Sequence, residues 1–292
     1  RKYHLNEGHA SLLTLELLNH HRLSVEDTWD ERASWDTRRV QDKCVFTTHT
    51  PVEAGHDRFP YELVERIMGE VIPTDLLQEL GGKDELNMTM LALNLSHFVN
   101  GVAKKHGEVS QALFPGFEIH AITNGIHPFT WGSPYMMTLF DKYLPGWANE
   151  PELLVRVDII PDAEIQDAHA GAKAYLFQYI EEVTGEKFDP ELLTIGFARR
   201  ATAYKRANMI FSDPVLLKKI GDGKLQLVFA GKAHPHDDQG KKMIQEIRNQ
   251  SEFFGDGLKI VYLPNYTMDV ASRLIPGWDI WLKNTMRPRQ AT

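Results

Sequence analysis

The sequence predicts an α/β protein of two units, the second built on a doubly wound parallel sheet. Three observations carry that prediction. Four short apolar runs, 193–199, 225–231, 258–263 and 278–282, alternate with helical stretches at 205–212, 241–249 and 268–275. Strands buried on both faces read as such runs, and parallel neighbours need crossover helices between them. Two more strand-like runs, 43–48 and 117–123, stand apart within a helix-rich first third. Each run ends in polar residues, the place where open α/β sheets hold ligands. The expected division is a first unit over 1–124, a crossover over 125–160 and a second unit over 161–292.

Taken in order, His9 to Leu18 carries an apolar helical face, and Ser24 with Asp27 three residues later forms a capping box for a helix to about Val40. Residues 43–48, Lys-Cys-Val-Phe-Thr-Thr, are β-branched and aromatic and read as a buried strand. His49-Thr50-Pro51 then turns the chain out of the sheet, because a residue before proline avoids the helical region. Helices are expected over 60–72 and 87–106, a strand over 117–123 ending in Asn124-Gly125, and one long helix over 162–185.

Composition narrows the function. The 292 residues carry 40 acidic against 32 Lys and Arg side chains, a net charge of -8, with 42% hydrophobic and 25% charged residues. These are ordinary globular values, which exclude a disordered, collagenous or coiled-coil chain. The acidic balance argues against bulk binding of nucleic acid. One cysteine, Cys44, excludes an intrachain disulfide and favours a reducing, cytoplasmic setting. No run approaches the ~18 apolar residues of a membrane helix, so no membrane partner is expected. The chain opens on Arg1 rather than Met and closes without a capping or polar tail, so it is expected to be part of a longer protein.

The polar strand ends are Thr48-His49-Thr50, Thr123-Asn124-Gly125, Arg199-Arg200, Gly231-Lys232-Ala233-His234, Pro264-Asn265-Tyr266 and Lys283-Asn284. Any one could be a solvated loop; together they suggest a polar pocket. The richest is Arg199-Arg200-Ala-Thr-Ala-Tyr204-Lys205-Arg206, four cations in eight residues of an acidic chain. A guanidinium fork, a compact ammonium and a helix N-terminus are the usual means of holding phosphate oxygens. A solvated basic turn is the plain alternative. His234-Pro-His236-Asp237-Asp238 lacks helical metal-ligand spacing and reads as a surface loop. No phosphate-loop, dinucleotide-binding, Gly-x-Ser-x-Gly or His-Glu-x-x-His pattern is present.

A wider set of motifs carries a resemblance. Leu5-Asn-Glu-Gly-His9, Phe46-Thr-Thr-His-Thr-Pro-Val-Glu-Ala-Gly-His56, Ser96-His-Phe-Val-Asn-Gly-Val102, Thr123-Asn-Gly-Ile-His127, Ile195-Gly-Phe-Ala-Arg-Arg through Tyr204-Lys-Arg206 and Phe229-Ala-Gly-Lys-Ala-His234 resemble α-glucan (glycogen or starch) phosphorylases, most closely the short bacterial and archaeal type. The resemblance implies two Rossmann-like domains facing across a cleft and a pyridoxal 5'-phosphate cofactor. It implies reversible phosphorolysis of α-1,4-glucan by inorganic phosphate to α-glucose 1-phosphate with retention. By matching position it implies that Arg200 and Lys205 hold the substrate phosphate, and that Arg199, Lys205 and Tyr266 border the cofactor. His49, Asn124, Tyr204, Val102, Glu7 and His9 fall on the sugar subsite, together with Gln290, Ala291 and Thr292. No metal is implied, and the full protein could be a homo-oligomer.

Two departures stand out. Gln290-Ala291-Thr292 matches the start of the family run Glu-Ala-Ser-Gly-Thr, with Gln for Glu, and the lysine that holds the cofactor is not among these residues. The 292 residues alone are therefore expected to be inactive. A nucleotide-sugar glycosyltransferase of glycogen-synthase type and a non-catalytic glucan-binding fragment are the alternatives. They differ in needing a nucleotide pocket in the first case and only glucan affinity in the second.

Overall fold

In the computed structural model of the chain, the residues described are 1–24, 26, 28, 30–50, 52, 55–69 and 71–284. The chain divides into two compact units, Arg1–Gly125 and Ile126–Met286, the second described through residue 284.

The first unit runs β1 (Tyr3–Asn6), α1 (Leu12–His20), α2 (Thr37–Gln41), β2 (Cys44–Thr48), β3 (Arg58–Pro60), α3 (Tyr61–Met68), α4 (Thr74–Gly81), β4 (Glu85–Asn87), α5 (Met88–Asn94), β5 (Phe98–Gly101), α6 (Lys104–Leu113) and β6 (His120–Ala121). Strands β1-β2-β5-β6 lie side by side, all parallel, with Leu5 opposite Phe46 and Phe46 opposite Val99. Leu5, Phe46 and Val99 enter one core with Leu15, Leu18, Leu91 and Leu95. Strands β3 and β4 form a separate antiparallel pair.

Several sequence expectations are corrected here. The helix predicted from Ser24 to Val40 does not form. The Ser24 hydroxyl accepts from the Glu26 N–H, a local turn, and Asp27 lies outside the described residues. Trp35 is extended, and Asp36 starts a new five-residue helix by accepting from the Arg39 N–H at 2.9 Å. The single helix predicted over 87–106 is three elements, because α5 ends at Asn94 and Phe98–Gly101 crosses the sheet as β5. Leucines at 91, 93 and 95 satisfy either period, and tertiary pairing decided. The 60–72 helix stops at Met68, and the strand over 117–123 shrinks to two residues. Strand β1, helix α4 and a helix over Pro214–Gly221 carried too short a pattern to be read.

The second unit continues with α7 (Pro128–Trp131), α8 (Pro134–Tyr143), α9 (Asp162–Thr184), β7 (Leu193–Ala198), α10 (Pro214–Gly221), β8 (Leu225–Ala230), α11 (Asp238–Phe254), β9 (Lys259–Leu263), α12 (Met268–Gly277) and β10 (Ile280–Trp281). The parallel strands order as β10-β7-β8-β9. Along β8 the side chains alternate. Val228 and Ala230 face a core with Leu176 and Ile180 of α9 and Leu274 of α12, while Leu227 and Phe229 face one with Leu217 of α10 and Ile247 of α11. Helices therefore cover both faces, as a doubly wound sheet requires. Gly196 is glycine because a Cβ there would collide with the Trp278 ring.

That order fixes where a ligand can sit. The chain winds from β7 through β8 to β9, then returns to place β10 on the other side of β7. The reversal between β7 and β10 is a topological switch point, and the crevice beyond the carboxyl ends of those two strands is the expected ligand position.

Candidate functional site

Beyond β7 the chain leaves through Arg199 and Arg200 and then makes two short 3-10 turns, Ala203–Lys205 and Ala207–Phe211, in place of the helix predicted over 205–212. Arg206 separates them in a left-handed conformation, φ 49° and ψ 49°. Close packing sets the exit path. Gly231 after β8 presses on the Arg199 carbonyl, leaving no room for a Cβ, and its φ of 154° suits glycine. The Ala201 N–H reaches the Lys232 carbonyl at 3.0 Å.

This path brings cations together. Lys205 is half-buried and pushed down to about 8, first by burial and then by Arg199, Arg200 and Lys283. Among the described residues no carboxylate acts on it. Its ammonium lies 4.7 Å from the centre of the Tyr204 ring. Burial also lowers Arg199, against the opposing pull of Tyr204 and Tyr266. Tyr266, beyond β9, is itself raised by burial and lowered by Arg199. The Thr202 hydroxyl, between Arg200 and Tyr204, is buried and has no hydrogen-bond partner. Thus Arg199, Tyr204, Lys205 and Tyr266 lie within one electrostatic neighbourhood, with Arg200 joining through Lys205.

The fourth cation is not the one the sequence suggested. Arg206 turns away to hydrogen-bond main chain: its Nε donates to the Asn284 carbonyl at 2.6 Å. Lys283, leaving β10 across the switch point, takes its place beside Lys205. Sequence reading noted Lys283 only as a polar strand end; the missing signal was the strand order that sets β10 beside β7.

The carboxyl ends of the first sheet are built differently. Glu7 follows β1 at φ 72°, and its carboxylate accepts from the His49 N–H at 2.8 Å, the Thr50 hydroxyl at 3.0 Å and the Thr48 hydroxyl at 3.4 Å. The His49 ring is 2.6 Å from Asn6 Oδ1. Val102 is buried, its carbonyl accepts from the Asn124 N–H at 3.0 Å, and its own N–H donates to His106 Nδ1 at 3.2 Å. Burial holds the His106 imidazole below its usual range, so it accepts there as the neutral ring. Glu7 with His49, and Val102 with Asn124, are therefore joined by hydrogen bonds. His9 is exposed on the 3-10 turn after Glu7. Gln290, Ala291 and Thr292 lie outside the described residues.

Backbone strain marks the same ends of the sheets. Among the described residues the non-glycine residues with positive φ are Glu7, Arg206 and Asn265, which follow β1, β7 and β9. Such conformations persist only where surrounding contacts over-determine them, and they gather at binding sites. A groove of about 980 Å³ runs along β9 and α11 and reaches the strand ends at residues 231–233 and 264–265, but none of the cation cluster lines it. Two of its three lysines are engaged, Lys241 with Asp238 and Lys259 with the Lys187 carbonyl, and Lys232 after β8 is the third. Among the described residues no cluster of His, Cys, Asp and Glu could hold a metal ion, and no helix is long and apolar enough to cross a membrane.

The model of the family described as carbohydrate phosphorylase matches residues 70–286. A glycogen phosphorylase of Mycobacterium tuberculosis is 33% identical over 336 residues, covering 99% of this chain and 38% of the relative. A maltodextrin phosphorylase of Thermococcus litoralis is also 33% identical, with the same coverage. A glycogen phosphorylase of Aquifex aeolicus is 32% identical over 99% of this chain and 47% of its own length. The chain thus spans less than half the length of these curated relatives.

Proposed function

The chain belongs to the carbohydrate phosphorylase family, and on that premise we propose that it serves the phosphorolysis of α-1,4-glucan, with inorganic phosphate as acceptor and α-glucose 1-phosphate as product. The observation that carries the reading is the group of four cations at the β7/β10 switch point, with no carboxylate acting on Lys205 among the described residues. Like charges held together in a half-buried place repel, and an anion is what neutralises them. Arg200 and Lys205 are the proposed contacts to the substrate phosphate. A guanidinium fork and an ammonium stabilise its oxygens most when negative charge builds beside a departing, oxocarbenium-like sugar.

A second phosphate, that of pyridoxal 5'-phosphate, fits the same chemistry. Arg199 and Lys205 are the donors proposed to hold it, the unpartnered Thr202 hydroxyl offers a further hydrogen bond, and Tyr266 borders it. When bound, the cofactor supplies a phosphate group able to carry a proton to and from the substrate phosphate. Two phosphates in contact need several fixed cations, which is the provision made here.

On the first unit, the proposed sugar contacts are His49, Asn124, Val102, Glu7 and His9; Tyr204 beside the cations and Gln290, Ala291 and Thr292 complete the proposed subsite. Glu7 is the orienting group, since it fixes the His49 backbone, and Asn6 fixes the ring. The finer arrangement, two Rossmann-like domains facing across a cleft in a cytoplasmic enzyme, belongs to this proposal, as does the inactivity of these 292 residues by themselves.

The test is made on the full-length protein. It should release glucose 1-phosphate from glucan only when phosphate is supplied and should carry the absorbance of a bound pyridoxal group. Activity that depends on a nucleotide sugar, with no pyridoxal signal, would replace this reading with the glycosyltransferase one.

A further inference from the structure

Arg206 and Asn284 are 78 positions apart, yet they exchange two hydrogen bonds. Arg206 Nε donates to the Asn284 carbonyl and Asn284 Nδ2 donates to the Arg206 carbonyl, each at 2.6 Å. The pair crosses the switch point, tying the loop after β7 to the exit of β10. Arg206 does this in a left-handed conformation that a non-glycine residue adopts at a cost. Glycine would fill that conformation freely, so the side chain is kept for what it bonds. Arg206 lies within a stretch that otherwise serves as a cation cluster, and its Nε–H is spent on main chain.

We propose that Arg206 and Asn284 are positioning residues that hold Lys205 at the anion site against the repulsion of Arg199, Arg200 and Lys283. The inference rests on the anion-site reading of the second unit. Lys205 immediately precedes Arg206, and its own N–H is tied back to the Thr202 carbonyl at 3.0 Å. Without the clamp, an ammonium on a four-carbon stem would swing outward into water, where three like charges cost it little. The clamp keeps it in place while the site is empty, so an arriving oxyanion meets donors already arranged.

The experiment compares Arg206→Lys, Asn284→Ala, their double variant and Arg206→Gly in the full-length protein. Arg206→Lys keeps the charge but loses the planar fork. Arg206→Gly removes the Nε bond while relieving the backbone, so it separates clamp from strain and remains foldable if the others are not. Three readouts are taken: affinity for inorganic phosphate, affinity for a maltooligosaccharide, and the titration of the Lys205 amine followed by NMR.

Each single variant should weaken phosphate binding about tenfold, the worth of one net hydrogen bond. The double should be worse than either single, since each single removes one of the two hydrogen bonds and leaves the other, made to main chain, in place. Maltooligosaccharide affinity should not change. The Lys205 titration should move up from about 8 towards that of an ordinary lysine as it escapes the other cations. Folded variants with unchanged phosphate affinity and an unchanged Lys205 titration would overturn the proposal. Arg200→Ala is the control for the reading beneath it. If that variant also binds phosphate normally, the anion site itself is wrong; if only the clamp variants do, the clamp alone fails.

Discussion

The second unit places a lysine at each end of one sheet and treats the two in opposite ways. At the amino ends of the strands, Lys173 of α9 is 8% exposed and sits 2.9 Å from Asp279 at the entry to β10 and 2.9 Å from the Leu192 carbonyl. The same carboxylate accepts from the Thr194 N–H at 2.7 Å and lies 2.8 Å from His169. At the carboxyl ends, Lys205 feels Arg199, Arg200 and Lys283, and among the described residues no acid acts on it. A buried charge whose needs are met within the chain is holding the fold together. A half-buried charge with no acid among its described neighbours is suited to the anion proposed above.

The largest effect should come from breaking the satisfied end. Asp279→Ala leaves Lys173 buried without its carboxylate and strips the Thr194 N–H, which should cost about 3–5 kcal/mol in urea unfolding. Adding Lys173→Met should return much of that loss, because a buried pair replaced by apolar side chains is often near neutral. A loss no larger than that of an ordinary surface substitution would mean that the pair is not the anchor inferred here. Glucan and phosphate affinity, measured well below the melting point, should stay unchanged.

The unsatisfied end should show the reverse pattern. Arg200→Ala removes a charged fork from the proposed anion site and should cost on the order of 2–4 kcal/mol in the use of phosphate, read from kcat/KM for phosphorolysis. Its effect on unfolding should be small or even favourable, since one repelling cation is gone. Unchanged phosphate kinetics would erase the contrast with Lys173.

How much of this contrast was legible in sequence depended on how local its cause was. The run 199–206 announced itself, because its cations are neighbours in the chain and follow a readable strand. Lys283 did not, because its partnership with Lys205 comes from the return of β10 to the flank of β7, a feature of strand order. Arg206 misled, because a guanidinium spent on a main-chain carbonyl looks the same in sequence as one offered to a ligand. In the first unit the motif around His49 was visible. What holds it was not, because Glu7 and His49 meet only once β1 pairs with β2. Strand β5 was lost inside a predicted helix because its leucine-rich approach fits both periods, and only its place between β2 and β6 decides.

The first unit offers an intermediate case, a charge satisfied by the chain yet placed at a ligand end. Glu7 is surrounded by donors, so its carboxylate is an orienting device rather than a charge left over. Glu7→Gln keeps the shape but turns an amide donor towards groups that also donate. The expected loss is about 1–2 kcal/mol in maltooligosaccharide affinity, from a loosened His49, with phosphate affinity intact. His49→Ala should act in the same direction and leave cofactor content untouched. A fall in phosphate affinity instead would show that the two ends are not divided as neutral and anionic subsites.

The smallest effect is the sharpest test of the two lysines, because their ends should answer pH in different windows, and at the Lys205 end stability and anion affinity should change with opposite signs. Burial pushes Asp279 up, but Lys173, the Thr194 N–H and His169 outweigh it, so its net displacement is downward. Its stabilisation is therefore present above the ordinary carboxylate range and is lost as acid titrates it. Lys205 is displaced downward from 10.5 to about 8, by burial first and then by Arg199, Arg200 and Lys283. Below about 8 the folded chain carries its strained charge in full. Between about 8 and 10.5 the unfolded chain binds more protons than the folded one, so the Lys205 contribution to stability rises with pH in that window. Sulfate, which does not titrate there, should reverse this: its binding needs the ammonium, so affinity should fall as pH climbs through 8, with proton uptake on binding in calorimetry. Lys205→Arg should flatten the sulfate profile, since a guanidinium stays charged throughout. A sulfate affinity that is level across this range in the unmodified protein would mean that Lys205 does not face the anion, and the opposition between the two ends of the sheet would have no functional content.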